Sequence, residues 1–252
     1  DGAIVLNADD QFYNFHKKIA LKRKLKIYSF STKKKNANIR LNSIKKEGKK
    51  YKVFINIENQ KMYFYTSSNF ENDIKNLLAA LTVIGIFKSI KKLKKNIFYD
   101  HKKLEGRGDI SKIKINKKNI YLIDESYNSN PLSLKSAIKN FDGLKVNDSK
   151  KHLILGDMLE LGRHSKKLHS GIGTIINKTS IDYVNVIGKN IAETYKNINK
   201  NKKGLILKKN SHIIHLIKNN INNNDYLMIK GSNSTGLNKL TNSLKTGKIN
   251  VL

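Results

Sequence analysis

The feature that most constrains the fold is a series of short apolar runs in the second half of the chain. These runs are "NIYLI", "HLILG", "DYVNVIG", "GLILK" and "DYLMIK", and each is followed by a stretch long enough for a helix. Apolar runs of strand length that alternate with helices are typical of a parallel sheet covered by helices on both faces. We therefore predict an α/β domain in this half.

The first half of the chain has a different pattern. Residues 1–10 read as a buried strand that ends in a polar turn, and the runs "KIYSFS", "NIRLNSI", "YKVFINI" and "KMYFYT" read as strands joined by polar turns. Residues 71–95 change to helical spacing, and a second short helix is expected after Gly85. The predicted apolar face of this helical region consists of Ile74, Leu77, Leu78, Leu81 and Ile84. This half is therefore predicted to be mixed α+β, with a domain boundary near residues 105–110.

The chain is strongly basic, with 50 Lys and Arg against 19 Asp and Glu and a formal net charge of +31. At face value this charge indicates a protein that binds nucleic acid or an anionic membrane. However, only four of these bases are arginine, the residue favoured for bidentate recognition of bases and phosphates. Lysine is spread over almost every segment, and both lysine and the abundant asparagine have A/T-rich codons. We favour a codon bias as the cause, with a nucleic-acid surface as the alternative.

Several classes of protein are disfavoured by what the sequence lacks. It has no apolar run of about 18 residues and no signal-peptide pattern, so a cytoplasmic protein without a membrane span is expected. The absence of cysteine excludes disulfides, thiolate metal sites and a cysteine nucleophile. No Gly-x-Ser-x-Gly elbow and no metal-ligand spacing occur. The histidines at 164, 169, 212 and 215 are therefore expected to be surface or capping residues.

The stretch "IDESYNSNP", residues 123–131, concentrates polar groups where an apolar run ends and a helical pattern begins. Ligands of such sheets bind beyond the carboxyl ends of the strands, so the Asp124 carboxylate is expected to face a crevice. Asn130 is a natural N-cap with Pro131 at the first helical position. The predicted buried stripe of this helix is Leu134, Ala137, Ile138 and Phe141.

Capping does not explain why Asp124, Ser126, Tyr127 and Asn128 occur together. A ligand-binding loop and a purely structural junction are both compatible with the local chemistry.

Two further loops follow predicted strands. The stretch "ILGDMLELG", residues 154–162, brings Asp157 and Glu160 to the same edge of the sheet. The stretch "KGSNSTG", residues 230–236, precedes a helix expected to begin near Ser234. Its glycine spacing imitates a phosphate loop but lacks the required Lys-Ser/Thr, so an anion or carboxylate held by the loop amides is favoured. "GIGT" at 171–174 is interpreted as helix packing.

Taken in order, "GAIVLNADD", "NLLAAL", "GRGD", "IDESYNSNP", "LGDMLELG" and "KGSNS" resemble the later part of the Mur ligases over essentially the whole chain. "DESYNSNP" together with "GDMLELG" is specific, because sister ligases and folylpolyglutamate synthases have other residues at the first loop. The resemblance implies that residues 1–106 are the end of a central ATP-binding domain of mixed α+β structure. It implies that residues 107–252 are a C-terminal Rossmann-like domain.

The resemblance is closest to the branch of the family that adds D-alanyl-D-alanine to UDP-N-acetylmuramoyl-tripeptide. It implies an ATP-driven amide ligation in peptidoglycan synthesis, with ATP and Mg²⁺ as cofactors. In that reaction the substrate carboxylate takes the γ-phosphoryl group, and the dipeptide amine attacks the acyl phosphate. A monomer without a specific nucleic-acid partner is implied, and a sister ligase with another acceptor is the remaining alternative within the family.

The resemblance also implies roles for individual residues. The residues implied for nucleotide binding are Asn76, Arg107, Asp124 and Tyr127. The residues implied to face the dipeptide or the reacting phosphate are Asn128, Asn130, Asp157, Lys230 and Ser232. An aspartate suits ribose hydroxyls, and cationic side chains suit the negative charge that develops in phosphoryl and acyl transfer.

The sequence departs from the family pattern in two places. Asn72 stands where the family often has a histidine ahead of the helix asparagine, which affects the wall beside the adenine. The phosphate loop and the lysine that is carbamylated in this family are expected upstream of Asp1, together with most magnesium ligands. The 252 residues alone are therefore not expected to catalyse ligation, and the "GRGD" turn is expected to act as a hinge.

Overall fold

The computed structural model describes residues 2–57, 60–100 and 105–248. The chain divides into two compact units, Asp1–Lys102 and Lys103–Leu252. The described part of the first unit forms a five-stranded sheet with the order β1-β2-β3-β4-β5. Its strands are β1 (Ala3–Asn7), β2 (Lys26–Ser31), β3 (Ile39–Glu47), β4 (Lys50–Ile57) and β5 (Gln60–Thr66). The first three strands pair in parallel and the last three pair antiparallel.

Two helices accompany this sheet, α1 (Tyr13–Lys22) and α2 (Glu71–Phe87). The predicted strands and the helix α2 are confirmed, and the apolar face of α2 packs on Val53, Ile55 and Phe64 of the sheet. Helix α1 was not predicted, because only Ala20 of its residues is buried and its apolar periodicity is weak. The first unit is therefore mixed α+β.

The expectation of a second helix after Gly85 is wrong. Helix α2 continues through Gly85 to Phe87, and only a 3-10 turn, Ile90–Lys92, follows. The glycine leaves room for this turn, because a Cβ on Gly85 would come within 2.9 Å of the buried Ile90 side chain.

The described residues of the second unit form a six-stranded sheet with the order β10-β9-β8-β11-β7-β6. Its strands are β6 (Asp109–Ile115), β7 (Lys118–Glu125), β8 (Lys151–Gly156), β9 (Tyr183–Ile187), β10 (Lys203–Leu207) and β11 (Tyr226–Lys230). The last five correspond to the apolar runs and are parallel, so that prediction is confirmed. Strand β6 was not predicted. It pairs antiparallel with β7 at the edge of the sheet, where most of its side chains are not buried.

Helices cover both faces of this sheet, as predicted. They are α3 (Pro131–Asp142), α4 (Ser165–Ile176), α5 (Ala192–Lys196), α6 (Asn210–Asn220) and α7 (Leu237–Thr246). One apolar cluster joins α3 and α4 to the sheet through residues such as Leu134 and Ile172. The other joins α6 and α7 to the opposite face through residues such as Ile217 and Leu240. In the described ranges, no helix has the length and apolar character needed to cross a membrane.

Local sequence chemistry explains how α3 begins. The Asn130 side chain accepts a hydrogen bond from the Ser133 N–H at 2.8 Å, and the Asn130 N–H donates to Ser133 Oγ at 3.1 Å. This capping box, with Pro131 at the first position, confirms the predicted N-cap. The predicted stripe of Leu134, Ala137, Ile138 and Phe141 is buried.

The structure also explains two glycine-containing stretches, "GIGT" at 171–174 and "KGSNSTG" at 230–236. "GIGT" lies within α4, where a Cβ on Gly173 would come within 2.8 Å of the Thr194 carbonyl oxygen, which confirms its packing role. The helix after "KGSNS" begins at Leu237 rather than near Ser234. Residues Asn233–Thr235 form a separate 3-10 turn, and Gly236 has a left-handed φ of 75° that separates this turn from α7.

Candidate functional site

The carboxyl ends of β8, β11 and β7 are adjacent in the sheet. The three polar loops that follow these strands therefore meet at one edge of the second unit. They begin after Gly156, Lys230 and Glu125. Strand β11 lies between the other two, so its terminal Lys230 occupies the middle of this edge.

Lys230 lies beneath the loop between β7 and α3. Its side chain is only 2% exposed, and its Nζ donates to the Asn128 carbonyl oxygen at 2.8 Å. The Glu125 carboxylate lies 3.4 Å from the same nitrogen. Burial lowers the pKa of Lys230, an effect that Glu125 partly offsets and the positive charge of Arg107 reinforces. The arrangement places a desolvated cationic group at the base of the loop.

Ser232 connects all three loops. Its Oγ donates to the Ser129 carbonyl oxygen at 3.2 Å and accepts from the Leu159 N–H at 2.9 Å. Its own N–H donates to the Asp157 carbonyl oxygen at 3.0 Å. A single short side chain therefore fixes the relative positions of loops that are far apart in the sequence.

Ser129 was not singled out by the sequence analysis. It is 3% exposed, and its Oγ has no hydrogen-bond partner among the described residues. Buried hydroxyls normally have a partner, so this group stands out at the carboxyl edge of the sheet. Its position between the predicted site residues Asn128 and Asn130 is the sequence signal that could have identified it.

Asp157 points toward the connection between β9 and α5. Its Oδ1 accepts from the Ile191 N–H at 2.7 Å. Gly188 passes so close that a Cβ there would lie 2.5 Å from the same oxygen, and its φ is 128°. One oxygen of the carboxylate therefore serves to hold this connection against the loop after β8.

The expectation that the Asp124 carboxylate faces an open crevice is wrong. Asp124 is 3% exposed. Its Oδ1 accepts from the N–H of Ser126 at 3.1 Å and from its hydroxyl at 2.5 Å, and its Oδ2 lies 2.6 Å from Lys245 Nζ. Lys245 comes from the last turn of α7, so the local pattern around Asp124 contained no sign of it.

Arg107 and Tyr127 form the exposed part of this edge. The Arg107 guanidinium carbon lies 4.5 Å from the Tyr127 ring centroid, and Tyr127 is 48% exposed. The Tyr127 N–H donates to the Gly106 carbonyl oxygen at 3.1 Å. This close approach requires glycine, because a Cβ on Gly106 would lie 2.9 Å from the Tyr127 nitrogen and φ is 73°. The "GRGD" turn thereby holds a cation over an exposed ring.

Asn76 lies in the first unit, on the exposed side of α2. The same unit contains a polar cluster that the sequence analysis did not single out. The Asp9 carboxylate accepts from Ser31 Oγ at 2.5 Å and from the Thr32 N–H at 2.6 Å. Burial acts to raise the pKa of Asp9, but these hydrogen bonds and the charge of Lys75 outweigh it and hold the pKa below its ordinary value.

The expectation for the histidines is wrong for His169. This residue is fully buried, its Nε2 accepts from the Met158 N–H at 3.1 Å, and its Nδ1 lies 2.8 Å from the Ser165 carbonyl oxygen. It accepts a hydrogen bond from a backbone donor in the loop after β8. No local sequence pattern predicts this contact. Across the part of the chain that the structure describes, no group of three or more His, Cys, Asp or Glu residues could hold a metal ion.

The fold corresponds to a known class of enzyme. Residues 1–84 match the family model for the Mur ligase middle domain, and residues 111–233 match the model for the Mur ligase, glutamate ligase domain. The chain belongs to the Mur ligase family.

Individual relatives narrow the comparison. The chain is 36% identical over 132 residues to the UDP-N-acetylmuramoyl-tripeptide–D-alanyl-D-alanine ligase of Buchnera aphidicola subsp. Acyrthosiphon pisum, an alignment covering 50% of this chain and 27% of that protein. The crystal structure of MurF from Acinetobacter baumannii matches 97% of this chain and 52% of its own, with a TM-score of 0.78 and 18% identity. MurF ligase from Thermotoga maritima in complex with ADP matches 98% of this chain and 54% of its own, with a TM-score of 0.75 and 16% identity.

At these identities the two solved structures show the fold alone. The chain spans about half the length of these solved relatives and a smaller part of the curated one. The comparisons do not favour the alternative of a basic nucleic-acid-binding protein.

Proposed function

We propose that this chain is part of an ATP-dependent ligase that joins D-alanyl-D-alanine to UDP-N-acetylmuramoyl-tripeptide in peptidoglycan precursor synthesis. Residues 1–106 are assigned to the end of the ATP-binding domain and residues 107–252 to the ligase domain. The name of the Buchnera relative supports this acceptor over the single amino acids that sister ligases use. The observation that supports it most is the meeting of three polar loops above the buried Lys230.

In the proposed reaction the tripeptide carboxylate attacks the γ-phosphorus of ATP and forms an acyl phosphate with release of ADP. The dipeptide amine then attacks the acyl carbon, loses a proton, and phosphate leaves. Catalysis of such steps depends mainly on positioning and on cationic groups beside the developing negative charge. Residues of this chain would contribute to both effects.

The acceptor end of the site is assigned to Asn128, Asn130, Asp157, Lys230 and Ser232. Asn128 is exposed, and its Oδ1 accepts from the Ser129 N–H at 2.7 Å, so its Nδ2 is the group that can donate to a dipeptide carboxylate. Lys230 supports this side chain from below through the Asn128 carbonyl oxygen. The other three residues act as positioning residues, because their hydrogen bonds fix the surrounding loops and the start of α3.

In the second unit, nucleotide binding is assigned to Arg107 and Tyr127, with Asp124. The role of Asn76 in nucleotide binding stays a prediction for the first unit by itself. An exposed ring beneath a guanidinium fits a nucleotide, since the ring offers a stacking face and the cation attracts phosphate. A carboxylate offers about four acceptor positions. Three donors already occupy Asp124, and its side chain is almost fully buried, so it is proposed to support the loop that carries Tyr127 rather than to bind the ribose directly. Mg²⁺ enters the proposal only as the cation that accompanies ATP.

The test is phosphate release by the complete gene product with UDP-N-acetylmuramoyl-tripeptide and ATP present. We expect release to depend on D-alanyl-D-alanine and to be much slower with D-alanine, L-lysine or meso-diaminopimelate as the acceptor. A sister ligase would be shown instead if phosphate release were equally fast with a single amino acid as the acceptor and with a precursor that lacks the last residue of the tripeptide. If no acceptor stimulates phosphate release from ATP, the ligase proposal itself is overturned.

A further inference from the structure

The second unit contains a cavity at the edge of the sheet opposite to the proposed ligase site. It has a volume of about 380 Å³ and lies at the amino ends of β8, β9 and β10, beneath the C-terminal end of α6. A volume of this order suits a small organic molecule. None of the residues assigned to the ligase reaction lines it.

The cavity lies where the apolar core under α6 meets polar residues of β9 and β10. Val184 and Val186 point into the core on the α3 side, so Asn185 between them points to the α6 side. The neighbouring strand has Gly204 at this level, where a Cβ would lie 2.3 Å from Asn185 Oδ1. Leu216 of α6 forms part of the lining. A polar side chain and a glycine therefore stand where large apolar side chains would fill the space.

Asn185 is the group that points to a ligand. It lines the cavity and is 1% exposed. Its Oδ1 accepts from the Leu205 N–H at 2.8 Å, while its Nδ2 has no acceptor among the described residues. A buried donor without an acceptor is unfavourable, and an oxygen atom supplied by a ligand would satisfy it.

The remaining lining is aromatic and cationic. The Tyr183 ring stacks on His152 with centroids 5.1 Å apart, and Tyr183 is 42% exposed, so part of its surface can contact a flat partner. Lys150 and Lys203 also line the cavity. Lys150 lies 3.1 Å from Asp182, and Lys203 lies 5.1 Å from the Tyr195 ring centroid, which holds both cations near this edge.

We propose that this cavity binds a small organic carboxylate with a flat apolar body. The carboxylate accepts a hydrogen bond from Asn185 Nδ2 and is attracted by Lys203, since Lys150 is already paired with Asp182. The flat body packs between Tyr183 and Leu216. His152 does not compete for the carboxylate as a strong cation, because its Nε2 already faces Asp225 at 3.1 Å. The inference is independent of the proposed ligase activity.

The probe is 4-fluorobenzoate, observed by ¹⁹F NMR line broadening in a titration with the complete gene product. Its neutral isostere 4-fluorobenzamide is the comparison ligand. We expect saturable binding of the benzoate that is at least about tenfold tighter than that of the benzamide. Added ADP is expected to leave the binding unchanged, because nucleotide binding is proposed at the opposite edge.

Three variants locate the site. Asn185→Asp keeps the oxygen that accepts from Leu205 and removes the donor, so binding is expected to weaken by about tenfold or more. Lys203→Met is expected to weaken binding by a few fold, whereas the matched control Lys209→Met, at the other end of the sheet, is expected to have no effect. Circular dichroism checks that each variant is folded. If Asn185→Asp does not fold, benzoate binding by Lys203→Met is compared with binding by Lys209→Met, and this comparison tests the proposal.

The proposal is overturned by the absence of saturable benzoate binding or by displacement of the benzoate with ADP. It is also overturned if folded Asn185→Asp binds benzoate as tightly as the unaltered protein. Equal binding of benzamide and benzoate would overturn the assigned class of ligand. Equal effects of Lys203→Met and Lys209→Met would show only non-specific attraction by the basic surface.

Discussion

Lys245 Nζ lies 2.6 Å from Asp124 Oδ2, although the two residues are far apart in the sequence. The same nitrogen lies 2.5 Å from Asp109 Oδ2, and Asp109 faces Asp124 directly across β6 and β7. Burial acts to lower the pKa of Lys245, but hydrogen bonds to the two aspartates outweigh it and raise the pKa above its ordinary value. The last turn of α7 is thereby fixed to the strand that begins after the "GRGD" turn.

Replacing Lys245 with Met is expected to destabilise the protein by about 2–4 kcal/mol, because two adjacent and largely buried carboxylates lose their common cation. The measurement is urea-induced unfolding at neutral pH. Lys239→Met is the matched control, since Lys239 is exposed on the same helix. Equal unfolding free energies for the two variants would contradict the structural role, and Asp109→Asn in the Lys245→Met background should recover part of the loss.

Ser232 and Ser129 are expected to respond differently to the same substitution. Ser232→Ala removes the hydroxyl that connects the three loops and is expected to cost about 1–3 kcal/mol of unfolding free energy. Ser129→Ala removes a hydroxyl without a partner among the described residues and is expected to be neutral or slightly stabilising. Thermal unfolding measures both, and a loss in Ser129→Ala as large as that in Ser232→Ala would show that the Ser129 hydroxyl has a structural partner.

Lys230→Met is expected to raise the KM for D-alanyl-D-alanine by about tenfold or more, because the loop carbonyl of Asn128 loses a charged donor. The KM for ATP is expected to change less. Steady-state kinetics of the complete gene product separates the two constants. An unchanged dipeptide KM in a folded variant would remove Lys230 from the acceptor end of the proposed site.

Arg107→Lys keeps the charge but loses the planar group that stacks on Tyr127. We expect the KM for ATP to rise by roughly three- to tenfold with little change in stability. Arg163→Lys is the matched control, because Arg163 lies in the turn before α4 and is exposed. Equal values of the KM for ATP in the two variants would argue against a nucleotide contact by Arg107.

Asp9 provides the pH-dependent prediction. Because its folded-state pKa is lowered from 3.8, the stability it contributes is fully present well above 3.8 and is lost as the pH falls through the folded-state value. Asp9→Asn is therefore expected to cost about 1–2 kcal/mol at pH 7, with a difference from the unaltered protein that shrinks below 3.8. Urea unfolding between about pH 3 and pH 7 measures the difference, and the exposed Asp100→Asn serves as the control. A difference in unfolding free energy that stays constant at low pH would contradict the role assigned to the Asp9 carboxylate.

Local patterns in the sequence predict the individual elements of the fold. Five parallel strands of the second unit, helix α2 and the capping box at Asn130 follow from periodicities and hydrogen bonds that span a few residues. The same local patterns placed polar loops after the strands β7, β8 and β11. Resemblance to the family then supplied roles for residues in these loops, and those roles remain predictions.

Which side chains meet depends on how the elements pack together. The position of β11 between β7 and β8 brings Lys230 under the Asn128 loop, and the packing of α7 brings Lys245 to Asp124. The burial of His169 likewise depends on a distant backbone donor. The physical reason is that sequence periodicity reports which face of an element is apolar, whereas strand order and helix docking depend on the packing energy of the whole core. Contacts between distant residues therefore become visible only once that packing is known.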